Sequence, residues 1–422
     1  MAERIDRERS RARIERDIET LAGPGYTLTD RAICRYAYTD VYRNTLAHFT
    51  RELEAIGFAV WQDPVGTLLA SNVAPDAAAF GVGSHCDSNR NGGKYDGTLG
   101  VCTALEVCRL AAEAGDGLPL RLISFLEEEG SGFGQMLLGS RIMLQRVTEE
   151  ELRESIRDEH GVSFWDCAEA AGYEPRRWRE SIHALDNLTG WVEVHIEQGR
   201  VLQDTGTRLG IVEAIVGYIH GDLRFTGRAD HAGATPMNFR LDAAIPAAET
   251  VIELERIANE LGGGVVGTVG ELEVTPALIN VIPGGARLSL DLRSTSTLHA
   301  ELRDRIVAFA QERGLARGVG VEYAQRQELA VQPMDAGVVS ALVASAQDSG
   351  ETFRQMPSGA AHDTQCVASR VPSAMVFVPC VDGLSHTPLE QADPADAALA
   401  AEVVYCAIRA RAACATSRAA SA

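Results

Sequence analysis

Four apolar runs in this chain stop in histidine or carboxylate, and that repeated ending constrains the fold more than any other feature. AFGVGSH ends in His85, followed by Asp87 and, after the loop NRNGG, by Asp96. LRLISFL (120–126) runs into Glu127, Glu128 and Glu129; WVEVHI (191–196) carries His195; SAMVFVP (373–379) leads through a glycine turn to His386. Short apolar runs bounded by turn residues read as buried strands. Strands that deliver polar side chains at their C-terminal ends predict an open α/β sheet, where ligands bind outside the carboxyl edge. An isolated acidic run is usually a solvated face, and a lone histidine is more often structural. Four such endings in one chain favour chemistry.

The residue types point to metal. Imidazole nitrogen and carboxylate oxygen are the donors of zinc and related divalent ions, and a catalytic site leaves a position open for water. His85, Asp96, Glu129, His195 and His386 exceed what one catalytic ion needs. Two ions are the economical arrangement, one near His85 and one near His386, with Asp96 bridging them. Asp87, two residues after His85, is placed to accept the other imidazole N–H. One glutamate must stay off the metal to take a proton from water, and Glu128 is that general base. Cys86 adjoins a ligand, but a strand neighbour faces the opposite way.

Between the ligands lies a segment with its own pattern, 211–328. YIHGDLRFTG reads as a strand, 241–261 as a helix, VVGTVGELEV and GARLSLDLRS as a hairpin pair, 297–314 as a second helix and VGVEYAQ as a closing strand. That order is ferredoxin-like α+β. The predicted domains are therefore 1–210 with 329–422, and an inserted 211–328. The Ala-rich tail from 410 onward is expected to fray.

The motifs GSHCDSNRNGGKYDG, EEEGSGFG, HIEQGRVLQ, DHAGATPM, NVIPGGARLSLDLRS, PSGAAHD and DGLSHTP together resemble the hydantoinase/carbamoylase branch of the dinuclear aminoacylase-like metallohydrolases, over about residues 30–410. The resemblance implies an αβα catalytic domain with a mixed sheet, interrupted by a lid and dimerisation domain. It supports Glu128 as base and Glu129 as ligand. It further implies that His231 stabilises an oxyanion, that Asn280 and Arg293 bind a substrate carboxylate from a partner subunit's lid, and that Gly359 and His362 in PSGAAHD also bind substrate. Gln198 matches a ureido group, since an amide both donates and accepts. The implied cofactors are two divalent ions per subunit, zinc first, with manganese, cobalt or nickel also suited. The implied activity is hydrolysis of the carbamoyl C–N bond of an N-carbamoyl-L-amino acid or a related ureido acid such as allantoate. An aminoacylase or dipeptidase would share the metal chemistry; a non-catalytic metal-binding protein of the same fold would lack the base or bridging ligand. Gly132, Ala361 and Asn89-Arg90 depart from the usual pattern of this branch and bear on the shape of the substrate pocket.

Composition limits the partners. Hydrophobic content of 45% is ordinary for a globular chain of 422 residues. A net charge of −20 argues against nucleic acid and anionic membranes as partners. The charged N-terminus MAERIDRERSRARIERDIETLA does not read as a signal peptide, and no apolar stretch approaches a membrane span. Nine cysteines without a CxxC pair read as reduced thiols. A cytoplasmic protein is the resulting expectation, and the resemblance implies a homodimer through the lid domain.

Overall fold

The computed structural model describes residues 5–420 and divides the chain into two compact units. The first comprises residues up to Glu213, Met334–Met356 and the segment from Ala361 onward; the second comprises Ala214–Pro333 and Pro357–Ala360.

In the first unit the predicted strands form the heart of one mixed sheet. Its order is Ala59–Gln62, Leu68–Ser71, Leu120–Phe125, Ala79–His85, Leu188–Ile196, Ser373–Val378 and Leu209–Ile215. The four strands that lead into the acidic and histidine residues are mutually parallel, so their carboxyl ends share one edge. The flanking strands run antiparallel. Central strands buried on both faces must be apolar throughout, and Ala79–His85, Leu120–Phe125 and Ser373–Val378 are buried at every residue. Helix Thr98–Ala114 is buried nearly all round, packing on this sheet and on helices Arg7–Leu21 and Pro394–Ala420. All nine cysteines are free thiols. Among the described residues no helix is long and apolar enough to cross a membrane.

The second unit has a sheet in the order Leu272–Thr275, Gly285–Ser294, Gly217–Thr226, Gly320–Leu329, with every pair antiparallel. Gly285–Ser294 alternates strictly, turning Ala286, Leu288, Leu290 and Leu292 into a core shared with helices Ala244–Leu261 and Leu298–Arg317. A separate two-stranded ribbon pairs Asp230–His231 with Val281–Ile282.

Three readings need adjustment. VVGTVGELEV is two short strands, Val266–Thr268 and Leu272–Thr275, both laid on Gly285–Ser294; Ser289 Oγ accepts from the Glu271 amide at the break. The second helix runs to Arg317 and stops at Gly318, whose left-handed φ of 69° ends it. The Ala-rich tail expected to fray from 410 onward is helical to Ala420, as the high helix propensity of alanine favours.

Candidate metal centre

The carboxyl edge of the parallel strands gathers the five expected donors into two groups that share one residue. Asp96 Oδ1 lies 3.2 Å from His195 Nε2 and 3.6 Å from His85 Nε2. Asp96 Oδ2 lies 3.3 Å from His386 Nε2, which is 3.4 Å from Glu129 Oε2. In each group, His85–Asp96–His195 and Asp96–Glu129–His386, one donor atom per residue falls within 4.8 Å of the others. His195 thus joins His85, and Glu129 joins His386.

The surroundings prepare these atoms as ligands. His195 Nδ1 faces the Ile196 carbonyl at 2.9 Å, and His85 Nδ1 faces the Asp87 carbonyl at 3.2 Å. A carbonyl only accepts, so each Nδ1 carries a proton, which turns each Nε2 toward Asp96. Asp87 lies beyond the end of its strand, so its backbone oxygen meets the ring alongside its carboxylate, whose Oδ1 is 3.4 Å from His85 Nδ1. The same carboxylate accepts the amides of Glu128 at 3.1 Å and Glu129 at 3.0 Å. Gly97 makes room for the imidazole: its φ is 60°, and a Cβ there would stand 2.3 Å from His85 Cε1.

The three glutamates have separate surroundings. Glu127, at φ 55°, turns its carboxylate to the amides of Ala37, Gly132 and Phe133. It fixes the loop. Glu128 Oε2 lies 3.8 Å from His85 Nε2, and burial followed by the neighbouring carboxylates pushes its carboxyl well above the usual range despite His85. Glu129 rises to about 7 through burial and the charge of Asp96, and its Oε1 is buried without a hydrogen-bond partner. Asp96 is held well below the usual range because hydrogen bonds from His195, His386 and His85 outweigh its burial. Crowded buried carboxylates, an orphaned oxygen and three imidazole Nε2 atoms converging on Asp96 fit divalent cations with nitrogen and oxygen donors.

Of the other expected residues in the first unit, Gln198, at φ 58°, donates its amide to Asp96 Oδ2 at 2.9 Å and reaches His386 Nε2 at 3.3 Å. His362 packs edge-on against His195, ring centroids 4.6 Å apart. A further cluster, Glu193–His195–His362, shares His195 with the first group, and its Glu193 accepts from Ser84 Oγ and from Thr364 N and Oγ1. A cleft of about 590 Å³ opens beside His386, lined by Gly132, Asn89, Arg90 and Glu159 among others; Arg90 and Glu159 pair across 3.3 Å. A Cβ on Gly132 would stand 2.7 Å from Glu127 Oε1, so the loop lock and a side chain at 132 are incompatible as built.

In the second unit, His231 Nδ1 accepts the amides of Gly233 and Ala234, both at 3.1 Å, which leaves Nε2–H as an outward donor. The Asn280 carbonyl accepts from Ala232 N beside it. Arg293 is engaged bidentately by Asp291, both contacts at 2.9 Å, and donates to the Gly359 carbonyl at 3.0 Å. Sequence reasoning missed Asp291, although two residues apart on one strand is the same face. It also missed Ser385, although it stands in DGLSHTP, and Glu390; the two touch Asp96 or its backbone.

Comparison with known proteins places the chain in a family. The family model for "Peptidase family M20/M25/M40" matches residues 81–410. The N-carbamoyl-L-amino-acid amidohydrolase of Paenarthrobacter aurescens is 36% identical, covering 93% of this chain and 96% of its own. The allantoate amidohydrolase of Bacillus subtilis (strain 168) is 32% identical, covering 88% and 91%. A crystal structure of an amidase of the hydantoinase/carbamoylase family from Burkholderia multivorans superposes with a TM-score of 0.84 at 29% identity, covering 96% and 98%.

Proposed function

Because the chain belongs to the M20/M25/M40 peptidase family, in its hydantoinase/carbamoylase branch, we propose that it is a metal-dependent amidohydrolase acting on the carbamoyl C–N bond of an N-carbamoyl-L-amino acid or a related ureido acid. The observation that carries this reading is Asp96, whose two oxygens face two different donor groups with Glu128 beside them. His85, Asp96 and His195 would hold one ion, and Asp96, Glu129 and His386 would hold the other. Zinc suits these donors first, and manganese, cobalt or nickel also fit. When bound, the ions lower the pKa of water and polarise the carbonyl under attack.

The side chains do the rest. Asp87 orients the His85 ring and anchors the amides of Glu128 and Glu129. Glu128 takes the proton of the attacking water and returns it to the leaving nitrogen. His231 donates Nε2–H to the developing oxyanion. Arg293 exchanges Asp291 for the substrate carboxylate, with Asn280 as its companion, since a planar guanidinium pairs bidentately with either. Gln198 reads the ureido group, and Gly359 and His362 complete the substrate's surroundings. A ureido substrate and one water yield ammonia, carbon dioxide and the amine. We assign the second unit as the lid and dimerisation domain of a cytoplasmic homodimer.

The test is a panel of N-carbamoyl, ureido, N-acyl and dipeptide substrates given to metal-loaded enzyme, with ammonia measured against free amine. Ammonia from the ureido compounds is expected. Amine release from N-acyl or dipeptide substrates without ammonia from the others transfers the assignment to an aminoacylase or dipeptidase.

A further inference from the structure

We propose that Glu390 and Ser385 are positioning residues that hold the Asp96 carboxylate in the one orientation from which its two oxygens serve two cations. The proposal rests on the metal assignment above and is independent of the substrate. Glu390 is 2% exposed, and its Oε1 accepts the backbone amides of Tyr95 and Asp96, each at 2.9 Å. Ser385 Oγ donates to Asp96 Oδ2 at 2.8 Å and lies 3.1 Å from Glu390 Oε2. A hydroxyl has one proton, and the shorter distance assigns it to Asp96, with Glu390 as the alternative acceptor.

The loop before Asp96 is shaped to receive this carboxylate. A Cβ on Gly93 would stand 2.3 Å from Glu390 Cβ and 2.5 Å from its Oε1. The second glycine of NRNGG is therefore the opening through which Glu390 reaches the Tyr95 and Asp96 amides.

An aspartate's terminal torsion is broad and nearly two-fold, so an unheld Asp96 could turn its oxygens away from both groups. With its backbone fixed by Glu390 and Oδ2 fixed by Ser385 and Gln198, Oδ1 is left facing His85 and His195. Ser385 also immediately precedes His386, a ligand of the second group, held at φ 57°. One short C-terminal segment thus supplies a ligand of the second ion and the clamp on the residue shared by both.

The experiment is a metal titration of the full chain, stripped with a chelator and then loaded with Zn²⁺ or Mn²⁺ against a competing fluorescent chelator. Glu390→Ala should weaken uptake of both ions by about 10- to 100-fold, the usual effect of removing a partner behind a ligand. Glu390→Gln, which keeps one carbonyl oxygen for the two amides, should recover part of the loss. Gly93→Ala should reproduce it with every polar group retained. At saturating metal Glu390→Ala should lower kcat and leave KM unchanged. If Glu390→Ala fails to fold, Glu390→Gln and Gly93→Ala decide the matter in the same titration. Wild-type affinity in these variants overturns the proposal alone, whereas a wild-type chain that takes up no divalent ion overturns the metal assignment with it.

Discussion

Glu128 and Glu129 are adjacent, yet Glu128 Oε2 approaches His85 at 3.8 Å while Glu129 Oε2 approaches His386 at 3.4 Å. Because Asp87 anchors both amides, changing one side chain leaves the other in place. Glu128→Gln keeps size and hydrogen bonding but cannot take a proton, so it should bind both ions and lose about 10²- to 10⁴-fold in activity. Elemental analysis beside kinetics checks this; loss of an ion in Glu128→Gln with both retained in Glu129→Gln would reverse the assignments. The gathering of His85, Asp96, Glu129, His195 and His386 was legible because each lies at or beyond the C-terminal end of a strand that the apolar pattern marks. Glu390 was not, since it meets Asp96 across 294 residues and sits in no periodic pattern. Arg293 shows a different limit: its charge is plain in the sequence and Asp291 shares its strand face, but alternation alone does not tell that the two side chains pair.

At the scale of elements, the sheet beneath the site depends on how closely its central strands approach. Gly83 lies within Ala79–His85, where a Cβ would stand 1.8 Å from the Ile123 carbonyl oxygen and 2.9 Å from the Trp191 ring. Neither neighbour can yield, because one is backbone and the other is buried among Phe125, Leu69 and Ile123. Gly83→Ala should destabilise the protein by about 3 kcal/mol or more, the upper end of overpacking costs, seen as a lowered urea midpoint; an unchanged midpoint would show that the strands can part. The sequence marks these strands by their apolar runs but does not reveal which glycine is required, because that follows from the neighbour across the sheet. The break in VVGTVGELEV was hidden for a similar reason. Alternation continues through it, and only pairing with Gly285–Ser294 shows two short strands.

For the molecule as a whole, all five proposed ligands belong to the first unit, while the second has a closed core of its own around Leu223, Leu288, Leu290 and Ile306. Metal bound only by the folded first unit stabilises it by mass action, about 2.7 kcal/mol at a free concentration roughly a hundredfold above Kd. Calorimetry with and without chelator should show one transition moving by several degrees and one standing still, the latter matching a fragment of residues 214–333. Movement of both transitions together would mean that the units melt as one. A ligand-free stretch with ferredoxin-like order was visible between His195 and His386, but the return of Pro357–Ala360 to the second unit was not, because so short a piece has no pattern. Strand order carries one more implication. Ser373–Val378 lies in the sheet between Leu188–Ile196 and Leu209–Ile215, both of which leave the ribosome earlier. A nascent chain therefore waits with two unpaired strand edges, a state open to wrong partners, until its last strand slots between them, and His386, the histidine proposed for the second ion, emerges only after that strand.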